Sequence, residues 1–371
     1  MPIRAALLSH DFYPIKGGQG RNFFELYTRL QALRPAIETF ALSPCANRLP
    51  RHRRLLSAAD RLPLGQLFFS AGLNLSLSRA VRDLQLDLLI ANGPLGGVLL
   101  LKKPPCRLVY CVNHTYSQQA RYVETQRWKK LLVPAERRAI SRADALVAIS
   151  STTRDELQAH YGIAESMITL IPVGIDAEHF SPGARREPDS LLYVGRLAAR
   201  KGLEFLLRAM PLIAAERPQT LLSIVGDGPL RPRLEALAVK LGIESHVTFL
   251  GRLDDQELLR TYQGTQLQVV PSLFEGLGVT ALEGMACGAA IVASDVPGLR
   301  DVVQDGENGL LVPYGDCAAL AHAVLRLLQD ADLRERLRLA GEEQIRTRFA
   351  WPCIVERYRE VIQRVMEARA N

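Results

Sequence analysis

Leu191-Leu-Tyr-Val-Gly-Arg-Leu-Ala-Ala-Arg-Lys-Gly202 opens on four apolar residues, turns at Gly195 and runs through three cations to a helix that begins after Gly202. A strand, a glycine turn and a helix start in so short a space are the first half of a βαβ unit, and the same alternation recurs in both directions from it. Downstream, apolar runs of strand length stand at Leu221–Val225, Val247–Leu250, Leu267–Val270, Ala290–Ala293 and Leu310–Val312. Upstream they stand at Arg4–Ser9, Ile37–Leu42, Leu86–Ala91, Leu108–Val112, Ala145–Ile149 and Ile168–Pro172. Amphipathic stretches separate them, which predicts parallel sheets with crossover helices. The expected fold class is α/β, two doubly wound Rossmann-like domains facing across a cleft at the carboxyl ends of their strands. Asp176–Ser190, rich in Pro, Gly and charge, reads as the linker. The expected domains are therefore 1–175 and 191–350, with 176–190 between them. A C-terminal helix over 351–371 opens at Trp351-Pro352 and has two readings, a cap on the second domain or a return onto the first.

With 371 residues, 48% apolar and 23% charged, the chain can fill two buried cores. Uninterrupted apolar stretches such as Val98–Leu101 fall far short of the roughly 20 residues of a membrane-spanning helix. Ala5–Leu8 stops at Ser9, His10 and Asp11, before a leader's apolar region could form, so a cytoplasmic location is expected. The six cysteines are scattered without a C-x-x-C pair and read as reduced thiols. Residues 1–171 carry 23 Lys and Arg against 12 Asp and Glu, a net +11, which leaves −4 for the remainder. The arginines are not interleaved with aromatics as in common nucleic-acid modules, so no nucleic-acid partner is expected. The basic run Arg48–Arg61, followed by Leu64-Gly-Gln-Leu-Phe-Phe69, has two readings. One is a peripheral contact with an anionic membrane, the other an ordinary surface loop and a core-packing helix.

Chemistry concentrates in the second half. Arg196 and Lys201 fall at a strand's carboxyl end, where a forked and a point cation together suit a diphosphate; the bland reading is a pair of solvated loop cations. Val270-Pro-Ser-Leu-Phe-Glu-Gly-Leu-Gly-Val-Thr-Ala-Leu-Glu-Gly-Met-Ala-Cys-Gly288 leaves a strand through a small-residue loop with Gly276 and Gly278, then enters a short helix. The N–H groups at that helix start would face a phosphate. Glu275, before the helix, could reach sugar hydroxyls, and Glu283, two turns later, a ribose diol. Alternatively, Glu275 is a charge at a helix N-terminus and Glu283 a solvated helix residue.

Glu275 and Glu283 match the E-x7-E signature of retaining family 4 glycosyltransferases, and the chain resembles that family over about residues 170–315. Pro271-Ser272, Glu283-Gly-Met-Ala-Cys-Gly288, Ile291-Val-Ala-Ser, Pro297-Gly298 and Asp305-Gly-Glu-Asn-Gly-Leu-Leu-Val-Pro313 stand in the family's order. So do Tyr193-Val-Gly-Arg, Lys201-Gly, Gly226-Asp-Gly-Pro229 and Phe249-Leu-Gly251 upstream. Pro14-Ile-Lys-Gly-Gly18 is similar to the family's glycine-rich acceptor-side loop. The resemblance implies the GT-B arrangement of two Rossmann-like domains. It also implies that Arg196 and Lys201 bind the donor diphosphate, that Gly276 and Gly278 line the donor loop, and that Glu275 contacts the transferred sugar. By the same resemblance Glu283 binds the ribose, His114 stands beside the donor sugar, and Gly17 and Gly18 serve the acceptor. Val173 in Pro172-Val173-Gly174 departs from the family's usual asparagine.

The expected activity is retaining transfer of a hexose-type sugar from a nucleotide-diphosphate sugar to a glycan or lipid-linked acceptor in cell-envelope or polysaccharide biosynthesis. The D-x-D pattern Asp330-Ala-Asp332 reads as a helix cap, so neither a metal nor any cofactor beyond the sugar nucleotide is expected. A nucleotide-sugar epimerase of the same architecture and a non-catalytic sugar-nucleotide-binding subunit are the alternatives. A dinucleotide oxidoreductase ranks last, because no G-x-G-x-x-G follows the first strand.

Overall fold

A computed structural model describes residues 2–10, 18–33, 36–43, 51–54, 65–93, 100, 102–122 and 124–368. The chain forms two compact units, one of Met1–Val173 with Pro352–Asn371 and one of Gly174–Trp351.

In chain order the first unit holds β1 (Ile3–Leu8), α1 (Gly18–Gln31), β2 (Ile37–Ser43), β3 (His52–Arg54), α2 (Gly65–Asp83) and β4 (Leu88–Asn92). Next come β5 (Arg107–Val112), α3 (Tyr116–Tyr122), a 3-10 segment (Glu124–Leu132), α4 (Val133–Ile140), β6 (Ala145–Ala148), α5 (Ser151–Tyr161) and β7 (Ile168–Leu170). Its sheet has the order β3-β2-β1-β4-β5-β6-β7, parallel throughout. All five residues of β4 are buried, as are the last four of β1, because helices cover both faces of such a sheet. The strand at one edge, β3, was not predicted: His-Arg-Arg has no apolar run, and charge suits an edge.

The second unit runs β8 (Ser190–Val194), α6 (Leu203–Glu216), β9 (Leu221–Val225), α7 (Arg231–Lys240), β10 (Val247–Gly251), α8 (Asp255–Gly264) and β11 (Leu267–Val270). It continues through α9 (Val279–Ala286), β12 (Ala290–Ser294), β13 (Leu310–Val312), α10 (Cys317–Gln329) and α11 (Ala331–Gln344). Its parallel sheet has the order β10-β9-β8-β11-β12-β13. Chain progress goes outward from β8 on one side and restarts at β11 on the other, so the switch point lies between β8 and β11.

Residues 176–190, read as a linker, are built into the second unit. Phe180 is buried and meets Tyr262 edge-on at 6.1 Å, and buried Asp189 accepts from Arg217 at 2.7 Å. Pro, Gly and charge therefore mark an irregular but packed segment here. Asp330 accepts the Leu333 N–H at 2.9 Å and caps α11.

The final helix, α12 (Trp351–Glu367), belongs from Pro352 onward to the first unit. Ile354, Tyr358, Val361, Ile362 and Val365 are buried at helical spacing, each such aliphatic side chain contributing about 1.5–3 kcal/mol. The Tyr358 hydroxyl lies 3.5 Å from Cys111 Sγ of β5, and Arg364 donates to Thr169 Oγ1 at 2.6 Å.

Candidate functional site

Two loops leave the carboxyl ends of the strands that flank the second unit's switch point. Residues 195–202 follow β8, and 271–278 follow β11. They are tied to each other three times. Leu273 N–H donates to Arg200 O at 2.8 Å, Arg200 Nη1 donates to Phe274 O at 3.2 Å, and Lys201 Nζ donates to Glu275 Oε1 at 2.5 Å. Gly202 makes this approach possible. Its φ is +67°, and a Cβ there would fall 1.8 Å from Pro271 O.

Glu275 is the centre of the arrangement. It is 8% exposed and accepts from Lys201 and from buried Ser272 Oγ at 2.7 Å, with Arg200 Nη1 at 3.8 Å from its other oxygen. Burial works against its charge, but Lys201, Ser272 and Arg200 together outweigh it, so the carboxyl sits below its usual range. It is ionised at neutral pH and cannot serve there as a proton donor. Arg196 is exposed at the start of the same loop. Arg196, Arg200 and Lys201 against Glu275 leave a net +2, the complement of a diphosphate.

The helix that follows has no side-chain cap. Its N-cap is Gly278 at φ +79°, and Gly276, one residue past Glu275, is itself partly exposed in an otherwise largely buried loop. The first N–H groups of α9 are therefore available to an anion. Glu283 lies on α9, partly buried, and accepts the Tyr262 hydroxyl at 2.8 Å. Tyr262 is fully buried at the end of α8 and holds the carboxylate in one orientation. Four predicted donor residues, Arg196, Lys201, Glu275 and Glu283, thus belong to the second unit, the first three on the two linked loops. Sequence reasoning missed Arg200, Ser272 and Tyr262. Arg200 is adjacent to Lys201 and Ser272 three residues before Glu275, so proximity was a signal; Tyr262 gave none.

His114 lies in the first unit, in the turn after β5, and is partly buried. The strand ends around it carry a buried polar row. Asn113 Nδ2 donates to Asn92 Oδ1 and Asn92 Nδ2 to Ser9 Oγ, each at 3.1 Å, while Thr153 Oγ1 donates to Asn113 O at 3.2 Å. Two residues after His114, the Tyr116 N–H is shared by both oxygens of Glu136 at 2.9 Å, and the Tyr161 hydroxyl donates to the same carboxyl. Glu136 is wholly buried and was missed, since Glu-Arg-Arg in a helix looks like a solvated face. Of the acceptor-side residues, Gly18 opens α1, and Gly17 lies outside the described residues. The basic stretch Arg48–Arg61 also lies largely outside them, apart from Arg51 and β3.

Glu136 yields a stability prediction. Burial pushes its carboxyl up to about 7, against hydrogen bonds from Tyr161 and Tyr116 that lower it. Between about pH 4.5 and about 7 the folded chain holds a proton that the unfolded chain has released, so this group makes stability fall as pH rises through that window, by on the order of 3 kcal/mol. Glu136→Gln, which cannot ionise, should flatten the pH dependence of the melting temperature over that window; an unchanged slope would count against the buried-carboxyl account.

Among the described residues no helix is long and apolar enough to cross a membrane. The sequence model described as glycosyl transferases group 1 matches residues 174–344, and the one described as glycosyltransferase family 4 matches residues 16–179. An uncharacterized glycosyltransferase of Methanocaldococcus jannaschii is 30% identical over 60% of this chain, which spans 60% of that relative's length. A glycogen synthase of Mycobacterium tuberculosis is 27% identical over 95% of this chain and 92% of its own. Among solved structures, sucrose-phosphate synthase from Thermosynechococcus elongatus superimposes with a TM-score of 0.82 at 26% identity, covering 99% of this chain and 100% of that one. On these matches, and on the two Rossmann-like units, the second of which carries both linked loops, the chain belongs to the group 1 glycosyltransferases of the GT-B fold.

Proposed function

We propose that this chain transfers a hexose-type sugar from a nucleoside-diphosphate sugar to a glycan or lipid-linked acceptor, with retention of anomeric configuration and without a metal ion. The observation that carries the reading is the cluster of Arg196, Arg200, Lys201 and ionised Glu275 beside the uncapped start of α9. In this reading Arg196, Lys201 and the α9 N–H groups, at the loop of Gly276 and Gly278, hold the diphosphate. They stabilise the negative charge that grows on it as the bond to the anomeric carbon breaks. Glu275, held as a carboxylate, accepts from sugar hydroxyls and offsets the positive charge on the ring. Glu283, oriented by Tyr262, accepts from the ribose diol. His114 keeps the contact with the transferred sugar that the family resemblance implies, and the turn that bears it is fixed by Glu136. Gly17 and Gly18 are assigned to the acceptor side. The sugar nucleotide is a co-substrate, and no further cofactor is assigned.

The test is mass-spectrometric detection of nucleotide release from a panel of UDP-, GDP- and ADP-sugars, with and without lipid extract. Release by wild type that is lost in Glu275→Ala supports the reading. Release that survives Glu275→Ala unchanged removes Glu275 from the site, and no release from any donor favours a binding subunit.

A further inference from the structure

The 3-10 segment Glu124–Leu132 carries the sequence Glu-Thr-Gln-Arg-Trp-Lys-Lys-Leu-Leu. A 3-10 helix has three residues per turn, so residues i and i+3 eclipse and the segment presents three separate stripes. Lys129 and Leu132 form the inward one. Lys129 Nζ donates to Gln119 Oε1 at 2.5 Å and lies 5.4 Å over the Tyr116 ring, and Leu132 packs on the first unit's core. Trp128 and Leu131 form the second stripe, and both are turned outward, 47% and 83% exposed. Arg127 and Lys130 form the third, exposed beside it. Just beyond, on α4, Arg137 and Arg138 are exposed as well. From residue 116 to residue 142 the chain has seven Lys and Arg against two acids, Glu124 and Glu136, and Glu136 is buried.

We propose that this face, with Trp128 and Leu131 as its apolar tip and Arg127 and Lys130 beside them, docks on an anionic phospholipid surface. Burying a tryptophan and a leucine at the headgroup level removes them from water, while the surrounding cations meet lipid phosphates. A second copy of the chain does not suit the face, because a two-fold contact would set like charges against each other. Nucleic acid suits it less, since it offers Leu131 no apolar partner. The inference deepens the reading of a lipid-linked acceptor, because such an acceptor lies in the surface this face would touch.

The experiment is co-sedimentation of the full chain with phosphatidylcholine vesicles, with and without about 30% phosphatidylglycerol, at low and high salt. Binding is expected to the anionic vesicles alone and to weaken with salt. Each cation near an anionic surface contributes about fivefold in affinity, so Arg127→Glu with Lys130→Glu should weaken binding at least about 25-fold. Trp128→Ser with Leu131→Ser should weaken it about tenfold or more at both salt concentrations. Nucleotide release without lipid should be unchanged in both double variants, which shows that they fold. No binding by wild type at low salt overturns the proposal. So does binding as strong to neutral vesicles, wild-type binding by both variants, or dimerisation that the Trp128 and Leu131 changes abolish. Vesicle binding that behaves as expected in a chain that releases nucleotide from no donor would sink the proposed activity and leave the membrane contact standing.

Discussion

Lys201→Ala is expected to lower donor turnover by about 100- to 1000-fold, the loss that accompanies removal of a preorganised charge partner of a developing anion. The structure adds a second consequence. Lys201 is the largest influence holding the Glu275 carboxyl down against its burial. Without it the burial penalty is met by Ser272 and Arg200 alone, and the carboxyl moves up. The variant should therefore gain an acid limb: turnover falls as pH is lowered through the new value, where the wild type stays flat because its Glu275 remains ionised. Steady-state nucleotide release against pH for both proteins, with circular dichroism to show that the variant folds, reads both effects. A loss below tenfold in Lys201→Ala and in Arg196→Ala alike would contradict the diphosphate assignment. Loss of rate without an acid limb would keep the cation's role and refute the coupling to Glu275.

Gly202→Ala is expected to cost about 3 kcal/mol or more of stability. A side chain at φ +67° costs about 1–2 kcal/mol by itself. The new Cβ would also sit 1.8 Å from Pro271 O, and that neighbour is backbone, so the 271–278 loop has to move. The displaced loop carries Ser272 and Glu275, so activity should fall with stability. Thermal melts of the second unit's transition and nucleotide release measure the two losses. Gly242→Ala is the control, since φ there is +65° and nothing lies within 4 Å. If both variants lose the same amount, the contact with Pro271 contributes nothing.

The strands were legible because a stretch that buries one or both faces in a core shows as a mainly apolar run, and twelve such runs stand in the sequence where strands stand in the structure. His52–Arg54 escaped because a three-residue edge strand is held by main-chain pairing with β2, which any side chain permits. The packed character of 176–190 escaped for a related reason. Phe180 and Asp189 are anchored by Tyr262 and Arg217, residues 82 and 28 positions away, and composition carries no record of such distant partners.

At the site, the sequence by itself determined which charges exist and that Arg196, Lys201 and Glu275 lie in loops after strands, with Glu283 on the helix that follows. The tertiary structure decided what those charges are. The order of the sheet sets β8 beside β11, and so brings Lys201 onto Glu275 across 74 residues of chain. Packing within each unit also puts the Tyr262 hydroxyl on Glu283, and a buried Glu136 on the Tyr116 N–H two residues after His114. Periodicity is a local property that a linear chain displays directly. Ionisation state and side-chain orientation depend on burial and on partners within about 4 Å, and those are fixed when the sheet is assembled.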